Sequence, residues 1–148
     1  RKIKKILKKG TYEIYNTEKK MKINHVAIYT KNLEKSKEFY EKYFNAKSND
    51  RYHNPKTGLQ TYFLSFPGSD VRLEIMTRPE LTDRNDKIMN EGFIHLAFST
   101  GSKEEVDNLT KKLTEDGFRC LSGPRTTGDG YYESVVEDID GNLIEITV

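Results

Sequence analysis

One short pattern occurs twice in this chain: Ile23-Asn24-His25-Val26-Ala27-Ile28-Tyr29 and, 70 residues later, Phe93-Ile94-His95-Leu96-Ala97-Phe98-Ser99. Both copies predict a β-strand, in which side chains alternate between two faces. His25 therefore shares a face with Ile23, Ala27 and Tyr29, whereas Val26 and Ile28 point the other way. His95 sits likewise, with Phe93, Ala97 and Ser99 on its own face and Ile94, Leu96 and Phe98 behind. One imidazole within a strand means little, but two at equivalent places in a repeat point to a shared purpose.

The repeat extends beyond the two strands. After the first strand, Asn32 is placed to cap a helix whose Leu33, Ser36, Phe39, Tyr40, Tyr43 and Phe44 recur at three-and-four spacing, an aromatic stripe suited to core packing. Glu38 and Lys42 are spaced for a solvent-side ion pair on that helix. Strands are expected over 47–53, 59–66 and 71–76, separated by turn-forming segments at 54–58 and 67–70. A polar connector, 78–91, leads to the second copy. There, Ser102-Lys103-Glu104-Glu105 forms a capping-box sequence, Val106, Leu109 and Leu113 mark a helix, and Gly117 stops it. Strands near 118–122, 130–136 and 143–147 follow, with Asp140-Gly141 turning the last hairpin. A repeat of about 70 residues implies an α+β body of paired βαβββ modules, about 21–77 and 92–148, related by a pseudo-twofold.

Charge separates the N-terminus from this body. Residues 1–20 hold eight Lys or Arg against Glu13 and Glu18, while the remainder holds 17 basic and 21 acidic residues. Basic groups on a leader are no duplex-binding footprint, so nucleic acid is not an expected partner. Ile3, Ile6 and Leu7 are spaced for a short basic amphipathic helix, but the composition favours a flexible extension, with Met21 opening the body. No segment is long and apolar enough for a membrane span or a secretory signal. The single Cys120 rules out an intrachain disulfide framework and fits a reducing, cytoplasmic setting, where it serves as a small apolar filler.

The closing strands of the two halves are also alike: Arg72-Leu73-Glu74-Ile75-Met76 and Leu143-Ile144-Glu145-Ile146-Thr147. Leu73, Ile75, Ile144 and Ile146 belong to the helix side, so Glu74 and Glu145 turn to the face that carries His25 and His95. The separations agree, with 49 positions from His25 to Glu74 and 50 from His95 to Glu145. An ionised carboxylate between apolar neighbours needs compensation. Two glutamates beside two imidazoles find it in a divalent cation. Two nitrogens and two carboxylate oxygens suit a first-row transition metal, and nickel, cobalt, zinc, manganese and iron all satisfy that donor set. His53 has no counterpart in the repeat and reads as exposed beside a turn.

These residues carry a resemblance. From about Met21 to Val148 the chain resembles the vicinal oxygen chelate superfamily, and within it glyoxalase I. The matching segments are His25-Val26-Ala27-Ile28, the helix Asn32-Leu33-Glu34-Lys35-Ser36-Lys37-Glu38-Phe39-Tyr40, and Glu137-Asp138-Ile139-Asp140-Gly141-Asn142-Leu143-Ile144-Glu145. The resemblance implies curved mixed sheets around a metal cleft and a homodimer, with His25, Glu74, His95 and Glu145 as metal ligands. It further implies a lyase that isomerises the hemithioacetal of methylglyoxal and a thiol such as glutathione, with Glu145 as base and Glu74 able to share the role. Related epimerases, thiol transferases and drug-binding proteins are the alternatives, and the presence of Glu74 favours glyoxalase among them. Tyr29 and Arg78 occupy positions where some bacterial members carry residues that hold glutathione. With Met76 and Tyr132 they are the expected substrate-side wall.

Overall fold

The computed structural model describes residues 22–83 and 91–148, together with the backbone of two N-terminal strands, β1 (Lys5–Lys8) and β2 (Thr11–Ile14). Those two strands pair antiparallel with Lys5 opposite Ile14, so where the leader's apolar spacing allowed a helix the backbone is a hairpin. The remainder of the leader, and residues 84–90 of the connector, lie outside the described residues.

The elements then repeat in order. β3 (His25–Tyr29) leads into α1 (Leu33–Phe44), the short β4 (Lys47–Ser48) and β5 (Tyr52–His53), then β6 (Gln60–Ser65) and β7 (Arg72–Thr77). β8 (His95–Ser99) leads into α2 (Lys103–Glu115), β9 (Cys120–Thr126), β10 (Tyr132–Glu137) and β11 (Leu143–Thr147). Two sheets result, ordered β3-β7-β6-β4, with β5 also on β6, and β8-β11-β10-β9. In each, the opening strand pairs parallel with the closing strand, and the rest is antiparallel. Parallel partners need a long crossover, which the helix and following strands supply.

Local chemistry accounts for the boundaries. Asn32 Oδ1 accepts from the Lys35 N–H, and Ser102 Oγ accepts from the Glu105 N–H, each satisfying a donor that the first helical turn leaves free. α2 ends where Gly117 takes φ +92°. The expected strand over 47–53 is split in two, because Asn49 bonds Phe63 through both its backbone and its Oδ1 and interrupts the ladder. β9 runs past its expected end. Gly123, at φ +81°, permits this by lying so close to the Glu133 carbonyl that a side chain would collide with it.

The core lies between sheets and helices. Leu33, Ser36, Phe39, Tyr40, Tyr43 and Phe44 of α1 are all buried, the same six that the sequence spacing selects. Leu73, Ile75, Ile144 and Ile146 are at most 2 % exposed, so period two in the closing strands did place their apolar residues against the helices. α1 also joins the two halves. Phe39 stacks edge-on against Phe118 with centroids 4.8 Å apart, and Phe44 lies 4.4 Å from Phe98. Lys42 and Tyr43 both donate to Asp116, so Lys42 reaches across to the second half rather than pairing with Glu38 on its own helix. The tertiary partner is better because it serves two donors at once.

The most buried polar link between the halves is Tyr40 Oη donating to Asp138 Oδ2 at 2.9 Å. Burial and the facing carboxylate push the Tyr40 phenol well above its ordinary pKa, so it remains a donor throughout the physiological range. Asp138 also accepts from the Asp140 and Asn142 amides and the Asn142 side chain. Tyr40→Phe deletes one of several donors to a buried charge. It is expected to lower unfolding free energy by about 1.5 kcal/mol, measured by denaturant titration; an unchanged midpoint would show that this bond does not tie the halves.

Candidate metal centre

Each half places one histidine and one glutamate side by side on the sheet face turned away from its helix. The parallel register pairs Ala27 with Glu74 and Ala97 with Glu145, so each glutamate stands diagonally next to the histidine two residues earlier on the neighbouring strand. His25 Nε2 lies 3.8 Å from Glu74 Oε2, and His95 Nε2 lies 3.5 Å from Glu145 Oε2. The glutamate side chains are 15 and 19 % exposed, and the histidines 40 and 35 %. In each pair, a ring nitrogen and a carboxylate oxygen stand at or beyond the limit of a direct hydrogen bond.

The four do not meet within one chain. Among the described residues, no group of three or more His, Cys, Asp or Glu side chains is gathered closely enough to hold a metal. A cleft of about 350 Å³ between Val26, Leu73, Leu96 and Phe98 contains none of the four. A smaller groove of about 120 Å³ runs between β3 and β8 and includes His95 but not His25. Each pair is therefore a two-donor half-site, chemically suited to a divalent transition ion but short of its coordination number.

The surroundings of the two pairs differ. Opposite Glu74 stands Phe63, which meets His25 edge-on at 5.3 Å and carries the Arg72 guanidinium over its ring at 4.5 Å. Opposite Glu145 stands Val135, with Glu133 two residues away on the same face. The Glu133 carboxyl is raised above its ordinary value, mainly by burial, and further by the Glu145 and Asp129 carboxylates, against the opposing pull of Arg125 and His95. Glu133 is thus a second carboxylate at the second half-site, beside Glu145. The register of the last hairpin, counted back from Asp140-Gly141, was the sequence signal for it. The same parity removes Tyr132 from this face: it lies on the helix side, where its hydroxyl donates to Asp107 of α2 at 2.7 Å.

The other expected wall residues stay with the first half-site. Tyr29 is exposed on the His25 face and pairs in register with Met76. Arg78 follows β7, donates to Glu80 at 2.9 Å and also interacts with the Tyr29 hydroxyl. His53 is exposed on β5.

Comparison with known proteins decides the family. The model of the Glyoxalase/Bleomycin resistance protein/Dioxygenase superfamily matches residues 22–146, both halves together. The chain belongs to that superfamily. It is 29 % identical to the uncharacterised protein YqjT of Bacillus subtilis over 128 residues, covering 84 % of this chain and 96 % of that one. A probable trivalent organoarsenical cleaving enzyme of the same organism is 32 % identical over 107 residues, covering 72 % of this chain and 64 % of the relative. Among solved structures, a glyoxalase family protein from Enterococcus faecalis superposes with a TM-score of 0.70 at 25 % identity, covering 86 % of this chain and 97 % of that chain. The expected architecture, paired βαβββ modules with curved mixed sheets, is the one observed, and the sheets are not closed.

The raised Glu133 carboxyl has a consequence for stability. Its folded pKa exceeds the unfolded one, so its ionisation costs the fold nothing well below the ordinary value of 4.5 and costs most above the raised value. Metal-free Glu133→Gln is expected to melt above wild type at neutral pH, with the gap closing as pH falls through 4.5. A variant that melts lower at neutral pH would contradict the crowding of Glu133 with Glu145.

Proposed function

We propose that this chain is a metal-dependent lyase of glyoxalase I type, acting as a homodimer in which the first half-site of one copy meets the second half-site of the other. The observation that carries the reading is the duplicated His–Glu pair, at the same strand positions in both halves and on the face each half leaves open. Two such pairs together supply two imidazole nitrogens and two carboxylate oxygens, a donor set for nickel, zinc, cobalt, manganese or iron.

Pairing of copies is supported by what remains uncovered. Ile23, Tyr29, Phe93 and Ile94, all on or beside the two histidine-bearing strands, are exposed large apolar side chains. The two faces differ in their charged neighbours: the first carries Arg72 beside its pair, and the second carries Glu133 opposite Arg125 and Glu137 paired with Arg119.

A divalent cation held by His25, Glu74, His95 and Glu145 would supply Lewis-acid stabilisation of negative charge on two adjacent substrate oxygens. The chain's own groups do the rest. Glu145, set on a rigid strand between buried Ile144 and Ile146, removes the proton from the hemithioacetal carbon that bears sulfur and returns it to the neighbouring carbon, giving an S-2-hydroxyacyl thioester. Glu74, its counterpart, is the alternative base. Tyr29, Met76 and Arg78 border the substrate at the first half-site, and a thiol such as glutathione is the cosubstrate.

Purified protein is expected to hold one divalent ion per site by elemental analysis and to isomerise the methylglyoxal hemithioacetal until a chelator is added. Glu145→Gln should keep bound metal and lose on the order of 10²–10⁴ in turnover. Absence of bound metal would overturn the reading. Metal-dependent cleavage of a trivalent organoarsenical without hemithioacetal turnover would move the protein to the reaction of its arsenical-cleaving relative.

A further inference from the structure

The two histidines are not held alike, and we infer that Asn24, braced by Arg72, is a positioning residue that fixes the His25 ring with its Nε2 lone pair toward Glu74. Arg72 Nη2 donates to Asn24 Oδ1 at 2.9 Å, and His25 Nδ1 lies 2.9 Å from the same oxygen. A guanidinium can only donate, so the amide atom facing it must be the oxygen. That oxygen can only accept, so Nδ1 carries the hydrogen and the neutral ring keeps its lone pair on Nε2. Orientation of the amide and tautomer of the imidazole thus follow from one fact, the chemistry of Arg72.

The consequence lies on the other side of the ring. Nε2 stands 3.8 Å from Glu74 Oε2, and in this tautomer both atoms are acceptors. Two acceptors aimed into one space are reconciled by a cation, and ring N–H donation to an outer acceptor is the usual way a ligating histidine is held. The brace is itself anchored. Arg72 N donates to the Asn24 carbonyl at 3.1 Å, where the parallel ladder begins, and the guanidinium rests on Phe63, whose ring also meets His25 edge-on.

Among the described residues, the second half has no equivalent device. Ile94 stands where Asn24 does and Leu143 where Arg72 does, and neither side chain carries a donor or acceptor. The first half-site is therefore preset, and the duplicated pairs have diverged in their supports while keeping their ligands. The effect on metal affinity rests on the metal-site reading proposed above, but the ring orientation does not.

The test reads both separately in the full chain. Long-range proton–nitrogen NMR of the histidine rings, on metal-free protein at alkaline pH, should show His25 protonated on Nδ1 in wild type and in Asn24→Asp. In Asn24→Leu and Arg72→Met that preference should be lost, with His95 unchanged in every variant and retained folding checked by circular dichroism. Calorimetric titration with manganese or nickel should show Asn24→Leu binding about 10–100-fold more weakly than wild type, and Asn24→Asp restoring affinity. A wild-type His25 protonated on Nε2, or ring signals and affinity indifferent to Asn24→Leu, would overturn the positioning role even if metal binds. If the tautomer shifts as expected while wild type binds no metal, the positioning stands and the metal reading falls.

Discussion

Parallel pairing of the opening and closing strand in each half is the constraint from which the rest follows. It sets His25 beside Arg72 and Ala27 beside Glu74, and repeats the arrangement at His95, Leu143, Ala97 and Glu145. A parallel neighbour cannot be reached by a tight turn, so each half must carry a helix and intervening strands between its two functional strands. The helix buries one face and leaves the other open. Leu73, Ile75, Ile144 and Ile146 secure the closing strands by burial, and this makes the alternate glutamates rigid. The apolar residues that stabilise the fold and the carboxylates of the candidate site are thus two faces of the same strands.

Much of this was legible because period two is a local property. Alternation in the repeated strands placed His25, Glu74, His95 and Glu145 on one kind of face, and three-and-four spacing picked the buried residues of α1. What depended on partners distant in sequence was less accessible. Lys42 turned to Asp116, which also serves Tyr43, a choice made by tertiary packing. Tyr132, expected at the cleft wall, lies on the helix side, and its neighbour Glu133 takes the site face, because the register of β10 against β11 settles which of two adjacent residues meets the site. The leader's Ile and Leu spacing allowed a helix, and backbone pairing between β1 and β2 prevails over so short a periodicity. Convergence of the four candidate ligands was the largest step beyond the sequence. Strand patterns fix faces but not how two sheets sit relative to one another, and within one chain the four remain two pairs.

The Tyr40–Asp138 bond and the aromatic contacts of α1 hold the halves in that arrangement, and the face that carries each His–Glu pair stays partly exposed. A site assembled from unlike halves tolerates divergence between them. The first half surrounds its histidine with Asn24, Arg72 and Phe63, and the second surrounds its own with aliphatic side chains and Glu133.

Complementation between copies tests the central claim most directly. One variant loses the first pair (His25→Ala with Glu74→Ala), the other loses the second (His95→Ala with Glu145→Ala), and each alone should be inactive. Mixed dimers purified with two different tags should recover metal and turnover at one of their two sites, since one intact first pair then faces one intact second pair. Mixed dimers that remain inactive and metal-free would contradict a site shared between chains.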